Sequence, residues 1–205
     1  YYKAMYYGSA ESWNLRDFHM FYTLKSLLSY FGKETKAIVW AHNSHIGNAL
    51  ATEMYARGEI NIGHLCKEHF GSKSYHIGFG THTGTVAAAR NWGEKMEVIS
   101  VNKSLKDSYE NLCHKTNVTN FTLPLRTEHS HKNLRELLST PKLQRAIGVV
   151  YRPETELMSH YFKTVLPSQF DEYIWFNKTE AITPITTKKA TSKIMNLHPF
   201  GLVDK

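Results

Sequence analysis

Several common signatures are missing from this sequence of 205 residues, and each absence removes a class of function. No apolar run approaches the roughly 20 residues of a membrane-spanning helix, so we expect no membrane partner. The two cysteines, Cys66 and Cys113, lie on predicted helices among apolar neighbours. We expect buried free thiols, with a single disulfide as the alternative. The Gly-x-Ser-x-Gly elbow is absent and neither cysteine lies in a strand-end turn, which disfavours a serine or cysteine nucleophile.

The charge is basic but is not gathered into one patch. The formal net charge is +7, and 41% of the residues are hydrophobic and 21% charged, as in an ordinary globular protein. The stretch 181–205 carries four lysines against one aspartate. We interpret 185–205 as a solvated basic tail and expect no nucleic-acid partner.

The chain begins with Tyr1 rather than Met, and no signal peptide is visible. Its first seven residues, Tyr-Tyr-Lys-Ala-Met-Tyr-Tyr, are typical of a helix interior. We therefore expect that an N-terminal part is missing.

Hydrophobic periodicity predicts alternating helices and strands. The predicted helices are 15–31, 49–57, 62–70, 108–115, 133–138 and 153–165, and the predicted strands are 37–41, 75–79, 96–101, 120–123, 146–151 and 171–176. This alternation predicts an α/β fold, with a mostly parallel sheet and helices on both faces.

Polar clusters follow three of the predicted strands. His42-Asn43-Ser44-His45 follows strand 37–41, a turn over 80–85 follows strand 75–79, and 152–156 follows strand 146–151. In an open α/β sheet, ligands bind beyond the carboxyl ends of the strands. If these strands are parallel, the three clusters face one crevice.

His42 and His45 are the first candidates for chemistry. Two imidazoles three residues apart can transfer protons, hold an oxyanion or bind a metal. With 12 histidines in the chain, such a pair also arises by chance, so a structural role stays open.

The other candidates each have a structural alternative. The glycines of the 80–85 turn can cradle an anion beside His82, or form an ordinary turn. Arg152 can bind an anion, or belong to the start of the helix at Pro153. His160 lies one helical turn after Glu156 and can pair with it.

At these residues the chain resembles the erythromycin esterase family, which includes succinoglycan-biosynthesis homologues. Five blocks carry the resemblance, in the order of the family: Ser12–Asp17, Trp40–Gly47, Gly78–Ala88, Arg145–Glu156 and Ser159–Phe162. It implies that 1–184 is the C-terminal part of such a hydrolase domain. It also implies hydrolysis of esters, notably macrolide lactones, without a metal or other cofactor, and a small-molecule ester or lactone as the partner. We expect a cytoplasmic protein.

The resemblance also implies roles for individual residues. His42 and His45 lie in the active-site cleft, where they polarise the substrate carbonyl and stabilise the reacting centre. The water-activating histidine belongs to an N-terminal Gly-Glu-x-x-His motif, which this sequence lacks. The residues expected to bind substrate or support the site are Arg16, Asp17, Asn43, Asn48, His82, Arg152, Glu156 and His160.

One departure from the family lies at Asn48, where an aspartate is common. A carboxylate there can orient an imidazole, and an amide lacks its charge. Two alternatives to the metal-free esterase remain: a metal-dependent hydrolase on the same fold, and a non-catalytic binding or polysaccharide-biosynthesis homologue.

Overall fold

The structure is a computed structural model that describes residues 10–128 and 131–183. The helices are α1 (Ala10–Phe31), α2 (Asn43–Ile46), α3 (Glu53–Ala56), α4 (Ile62–Phe70), α5 (Tyr109–His114), α6 (Lys132–Leu138), α7 (Glu156–Ser159) and α8 (Leu166–Gln169). The strands are β1 (Ile77–Ala88), β2 (Glu97–Val101), β3 (Asn120–Pro124), β4 (Lys142–Arg145), β5 (Tyr161–Thr164) and β6 (Glu172–Thr179). Short 3-10 turns cover Ala49–Ala51, Gly71–Lys73 and Pro153–Thr155.

The helices end where local chemistry predicts. Gly32 stops α1 with a φ of 96°, a conformation that suits glycine, and its N–H bonds the carbonyl of Leu28. Asn61 caps α4 by accepting the N–H of His64, and Ser108 caps α5. The predicted helix 49–57 is instead divided at Thr52, which bridges to Thr164.

The α/β class is confirmed, but the expectation of a mostly parallel sheet is wrong. The four-stranded sheet has the order β2-β1-β6-β3, in which β1 and β6 are parallel while β2 and β3 join at the edges antiparallel. The remaining pair, β4 and β5, is antiparallel. Within the described residues, α1 is the longest helix, and no helix is both long and apolar enough to cross a membrane.

Two predicted strands and one predicted helix are wrong. The segment 37–41 forms no strand and is exposed, with 93% of Ile38 and 86% of Trp40 accessible. Its apolar residues predict burial, but no strand in the described part of the chain pairs with it. Residues 146–151 form no strand. The strand in this region is β4, which ends at Arg145, and Val150 makes only an isolated bridge to Ala89. The predicted helix 153–165 ends at Ser159 and is replaced by β5.

The predicted 80–85 turn is also wrong, because these residues lie inside β1. Their glycines lie within a strand and allow β6 to approach closely, instead of forming a turn around an anion. A Cβ at Gly80 would lie 1.8 Å from the Tyr173 hydroxyl, and one at Gly84 would lie 1.8 Å from the Thr179 carbonyl oxygen. The three polar clusters therefore do not follow three parallel strands into one crevice.

Two apolar clusters position the elements around the candidate site. Under the sheet, a core forms from Tyr109, Cys113, Leu125, Leu138, Leu166, Phe170, Tyr173 and Trp175. A second cluster of Phe21, Ile62 and Leu65 packs α1 against α4. Since α4 also contacts α2, this packing brings α1 beside His45, which contacts Trp13 and Asp17.

Candidate active site

The helix α2 is a single turn that begins after His42 and contains His45. His42 caps it, since its Nδ1 accepts the N–H of Ser44 at 3.2 Å. One helical turn separates the two histidines, so the side chains project from the same short element.

Both ring nitrogens of His42 already have partners. Nε2 lies 2.9 Å from the carbonyl oxygen of Ile147, which can only accept, so Nε2 carries the proton. Nδ1 therefore accepts, and the Ser44 hydroxyl lies 2.8 Å from it. Burial lowers the pKa of His42, and this effect outweighs the bond to Ile147, which raises it; a charge on His45 lowers it further. His42 is thus a neutral imidazole held in the fold.

His45 has a different environment, set by Asp17. Its Nδ1 lies 3.0 and 2.9 Å from the two carboxylate oxygens of Asp17. The Asp17 side chain is fully buried, while 19% of the His45 side chain is exposed. A carboxylate on Nδ1 leaves Nε2 as the nitrogen that can meet a ligand.

Trp13 and Arg16 lie beside His45 and Asp17. The ring of Trp13 stacks on His45 at 4.4 Å between centroids, with 7° between the planes. The guanidinium of Arg16 lies 5.0 Å from the centre of the Trp13 ring, and its Nε is 4.0 Å from Asp17. The block that begins the sequence resemblance, Ser12–Asp17, thus lies against the histidine block.

Asn61 and Gly63 clamp α2 from the side of α4. The Asn61 amide donates to the carbonyl oxygens of Ser44 and Gly47, at 2.7 and 2.8 Å. A Cβ on Gly63 would lie 2.3 Å from the carbonyl oxygen of Ile46, so only glycine permits this approach. Neither residue stood out in the sequence, because both act through contacts distant along the chain.

Asn48 does contact an imidazole, but not one of the expected pair. Its Oδ1 accepts the N–H of Leu50 and lies 3.1 Å from Nδ1 of His64, and its amide donates to Ser168. The carboxylate that orients His45 is Asp17. The described contacts of Asn48 are therefore with Leu50, His64 and Ser168, and not with the His42 and His45 pair that position 48 was expected to orient.

His82 belongs to a second, separate cluster. Its Nδ1 lies 2.6 Å from the Ser104 hydroxyl, and its ring stacks on His114 at 3.6 Å. Burial lowers its pKa to about 4, with smaller effects from the charges of His114, Arg145 and Lys103. His82 is a satisfied core histidine.

Arg152, Glu156 and His160 bind neighbouring parts of the fold. Arg152 donates to the carbonyl of Arg90 and to the Asn91 side chain. Nε2 of His160 accepts the backbone N–H of Arg152. Glu156 pairs with Arg145 at 3.0 Å and accepts the Tyr151 hydroxyl at 2.7 Å. The predicted side-chain pairing of His160 with Glu156 is replaced by these bonds.

The buried pair of Arg145 and Glu156 is a feature that the sequence did not reveal. Arg145 also donates to the backbone carbonyls of Thr81, His82 and Asn102. This arrangement satisfies a buried charge on both sides and ties β4 to β1 and α7. Its role is to hold the scaffold behind the site.

The two thiols are free but poorly suited to act as nucleophiles. Burial raises the pKa of Cys66 to about 11 and that of Cys113 to about 12, so both remain protonated near neutral pH. Over residues 10–128 and 131–183, no three His, Cys, Asp or Glu side chains come together as a metal-binding group.

The fold is similar to that of solved proteins. A Bacillus cereus protein superposes with a TM-score of 0.69 and 17% identity, covering 83% of this chain and 40% of that one. A succinoglycan biosynthesis protein gives 0.56 and 22%, covering 71% and 33%. A mutant of the erythromycin esterase EreC, in its open conformation, gives 0.51 and 14%, covering 79% and 36%.

The chain thus spans two fifths or less of the length of these solved proteins. Their identities are low, so the superpositions establish the fold alone. The family assignment rests on the sequence itself, which matches the family model described as "Erythromycin esterase" over residues 1–179. The chain belongs to the erythromycin esterase family.

Proposed function

We propose that the protein hydrolyses a carboxylic ester or a lactone, with water as the nucleophile and an imidazole as the proton acceptor. The observation that carries the proposal is the placement of His42 and His45 on one helical turn, with His45 partly open to solvent. Imidazole accepts and returns protons near neutral pH, as ester hydrolysis requires. Membership of the erythromycin esterase family supports the ester as the bond that is cleaved.

Water is a better candidate for the nucleophile than any side chain near the histidines. Both thiols have raised pKa values. The Ser44 hydroxyl contacts Nδ1 of His42, but the Ser44 backbone N–H shares the same nitrogen, as expected of a helix cap. Ser44 is therefore assigned to the cap.

Arg16, beside Asp17, and the solved relatives support the choice of substrate class. Arg16 presents a partly exposed guanidinium beside Asp17, and such a group suits a carbonyl or an anionic substituent of the ester. One solved relative is an erythromycin esterase, so a macrolide lactone is the first compound to test.

Mass spectrometry tests this proposal. The chain is incubated with erythromycin and a panel of small esters, with and without a chelator, beside His42→Ala and Ser44→Ala. We expect a product that gains one water and whose formation the chelator does not affect. This product should be lost in His42→Ala, because the His42 cap and its bond to Ile147 fix the site. The rate of its formation should stay within a few-fold of the wild-type rate in Ser44→Ala. Chelator-sensitive turnover would transfer the proposal to a metal-dependent hydrolase, and loss in Ser44→Ala alone would identify a serine nucleophile.

A non-catalytic binding protein is the second candidate, favoured by the similarity to a succinoglycan biosynthesis protein. It predicts that a ligand raises the melting temperature without any product being formed. Turnover of any ester in the panel would exclude it.

A further inference from the structure

Glu110 continues a ladder of contacts along one edge of β4. The segment before α5 runs beside this edge, where Ser108 forms an isolated parallel bridge to Leu143 and the Leu143 N–H bonds the carbonyl of Asp107. Two residues further along the same edge, the N–H of Arg145 is accepted by Oε1 of Glu110 at 3.0 Å. The carboxyl group thus takes the place that a backbone carbonyl of a neighbouring strand would hold.

The end of β4 leads directly to the candidate site. Ala146 follows Arg145 and donates its N–H to the carbonyl of His160 at 2.8 Å. One residue later, the carbonyl of Ile147 accepts the Nε2 proton of His42 at 2.9 Å. The bond that holds Arg145 therefore helps to fix, two residues on, the acceptor that orients His42.

The carboxyl group of Glu110 is deeply buried. Only 1% of the residue is exposed, and within the described residues its Oε2 has no hydrogen-bond partner. The guanidinium of Arg145 is engaged elsewhere, because it pairs with Glu156 and donates to three backbone carbonyls. In such a place an ionised carboxylate is far less stable than the neutral acid.

The groups that face Glu110 confirm that its environment disfavours a charge. Burial raises the pKa of Glu110, and this effect exceeds the lowering by the Arg145 N–H, its own N–H, the Arg145 charge and the Ser108 hydroxyl. The other ionisable side chains that face it are Tyr109 and Cys113 of α5, Tyr161 of β5 and Tyr173 of β6. Burial raises the pKa of each of them, and a charge on Glu110 raises it further. Glu110 is therefore the first group of this cluster to ionise as the pH rises.

We propose that Glu110 is a neutral carboxylic acid in the folded protein, that it positions Ile147 and thereby His42, and that loss of its proton in alkali releases this end of β4. The inference goes beyond the proposed function and rests on it only in placing His42 at an active site. The proton passes to solvent, and the charge left in the interior draws the carboxylate towards water. This movement removes the acceptor of the Arg145 N–H and, with it, the alignment of Ile147 and His42.

The Glu110→Gln variant keeps an acceptor for the Arg145 N–H but cannot ionise. The unfolded carboxyl titrates near 4.5 and the folded pKa is raised, so its stabilising contribution is complete below 4.5 and is lost as the pH rises towards the folded pKa. Between pH 7 and 9, the folding equilibrium constant of the wild type should therefore fall relative to that of Glu110→Gln, by up to about tenfold per pH unit in urea titrations. Glu34→Gln removes a charge at an exposed position and should follow the wild type.

The ring of His42 gives a readout of positioning that overall stability does not. In ¹⁵N-labelled protein, with His42→Gln to assign the signal, His42 should be the Nε2–H tautomer near pH 7 in the wild type and in Glu110→Gln. In Glu110→Ala, which lacks the acceptor, the two tautomers should exchange at the same pH. With an ester that the protein hydrolyses, kcat of Glu110→Gln should match the wild type near pH 7 and persist to higher pH.

Each part of the inference has a result that would overturn it. Equal slopes of stability between pH 7 and 9 in the wild type and Glu110→Gln would exclude the neutral acid. If Glu110→Gln does not fold, infrared spectra of the wild type with and without ¹³C-labelled glutamate decide, since they should contain the carbonyl stretch of a protonated acid at neutral pH. An unchanged His42 tautomer in Glu110→Ala would exclude the link to the site. Absence of turnover in the wild type would overturn the proposed function alone, because the stability, infrared and tautomer measurements need no substrate.

Discussion

The side-chain amide of Asn43 forms two hydrogen bonds with the backbone of Phe79. Its Nδ2 donates to the carbonyl oxygen at 2.6 Å, and its Oδ1 accepts the N–H at 3.1 Å. Phe79 lies in β1, opposite Ile174 of β6, and β2 joins the other edge of β1 only from Gly84 onward. Asn43 thus occupies the place of a neighbouring strand and attaches α2 to the sheet.

Replacing Asn43 by Asp should destabilise the fold. The carboxylate loses the donor to Phe79 and faces a carbonyl oxygen, so we expect the free energy of unfolding to fall by about 1–3 kcal/mol in urea titrations. Asn133→Asp introduces the same charge at an exposed position of α6 and should change it by less than about 0.5 kcal/mol. Equal effects of the two variants would mean that the contact with Phe79 contributes nothing.

Gly63 and Gly148 form a matched pair for testing the contact between α4 and α2. A Cβ at Gly63 would lie 2.3 Å from the carbonyl oxygen of Ile46 and 2.5 Å from that of Gly47. Because backbone must move to admit it, Gly63→Ala should lower stability by about 1–3 kcal/mol and reduce turnover. Gly148 has no atom within 4 Å of its added Cβ, so Gly148→Ala should be neutral. Thermal unfolding measures both, and a neutral Gly63→Ala would show that α2 is not clamped.

Stability should decline as the pH falls from about 6.5 towards 4. Burial lowers the pKa of both His76 and His82 to about 4 in the folded protein, whereas the unfolded chain titrates near 6.5. Between these values the unfolded state binds more protons, so acid favours unfolding and the stabilisation is complete only above the unfolded pKa. Urea unfolding across this range should show the decline, and His82→Gln should flatten it. An equally steep decline in His82→Gln would contradict the assignment of this pH dependence to the buried His82 ring.

Restoring the aspartate that is common in the family at position 48 should not increase kcat. Asn48 faces Leu50, His64 and Ser168, and the described contacts give His45 a carboxylate from Asp17 instead. Asn48→Asp loses the donor to the Ser168 carbonyl, and we expect about 1 kcal/mol of destabilisation. Steady-state kinetics with any ester that the protein hydrolyses decides the matter: a several-fold rise in kcat would show that a charge at position 48 acts on an imidazole of the proposed site.

Local signals predicted the elements that depend on neighbouring residues. The predicted helices 62–70 and 108–115 were correctly located, and the predicted strand 171–176 overlaps β6, Glu172–Thr179. Capping, glycine stops and short apolar runs act over a few residues and are therefore visible in sequence. The segment 37–41 was predicted wrongly because burial of an apolar run depends on the partner beside it, which periodicity does not contain.

The candidate site also combines features that are visible in the sequence with features that depend on the tertiary structure. The sequence by itself determined that two imidazoles lie three residues apart, that the chain resembles an esterase family and that neither a serine elbow nor a cysteine turn is present. Only the tertiary structure decided the hydrogen-bond partners of each imidazole. Asp17 reaches His45 across 28 positions, and Ile147 engages His42 across 105. Hydrogen bonds between residues so far apart form because the packing of α1 on α4, and of α2 on both the sheet and α4, brings them together; no local pattern specifies that packing.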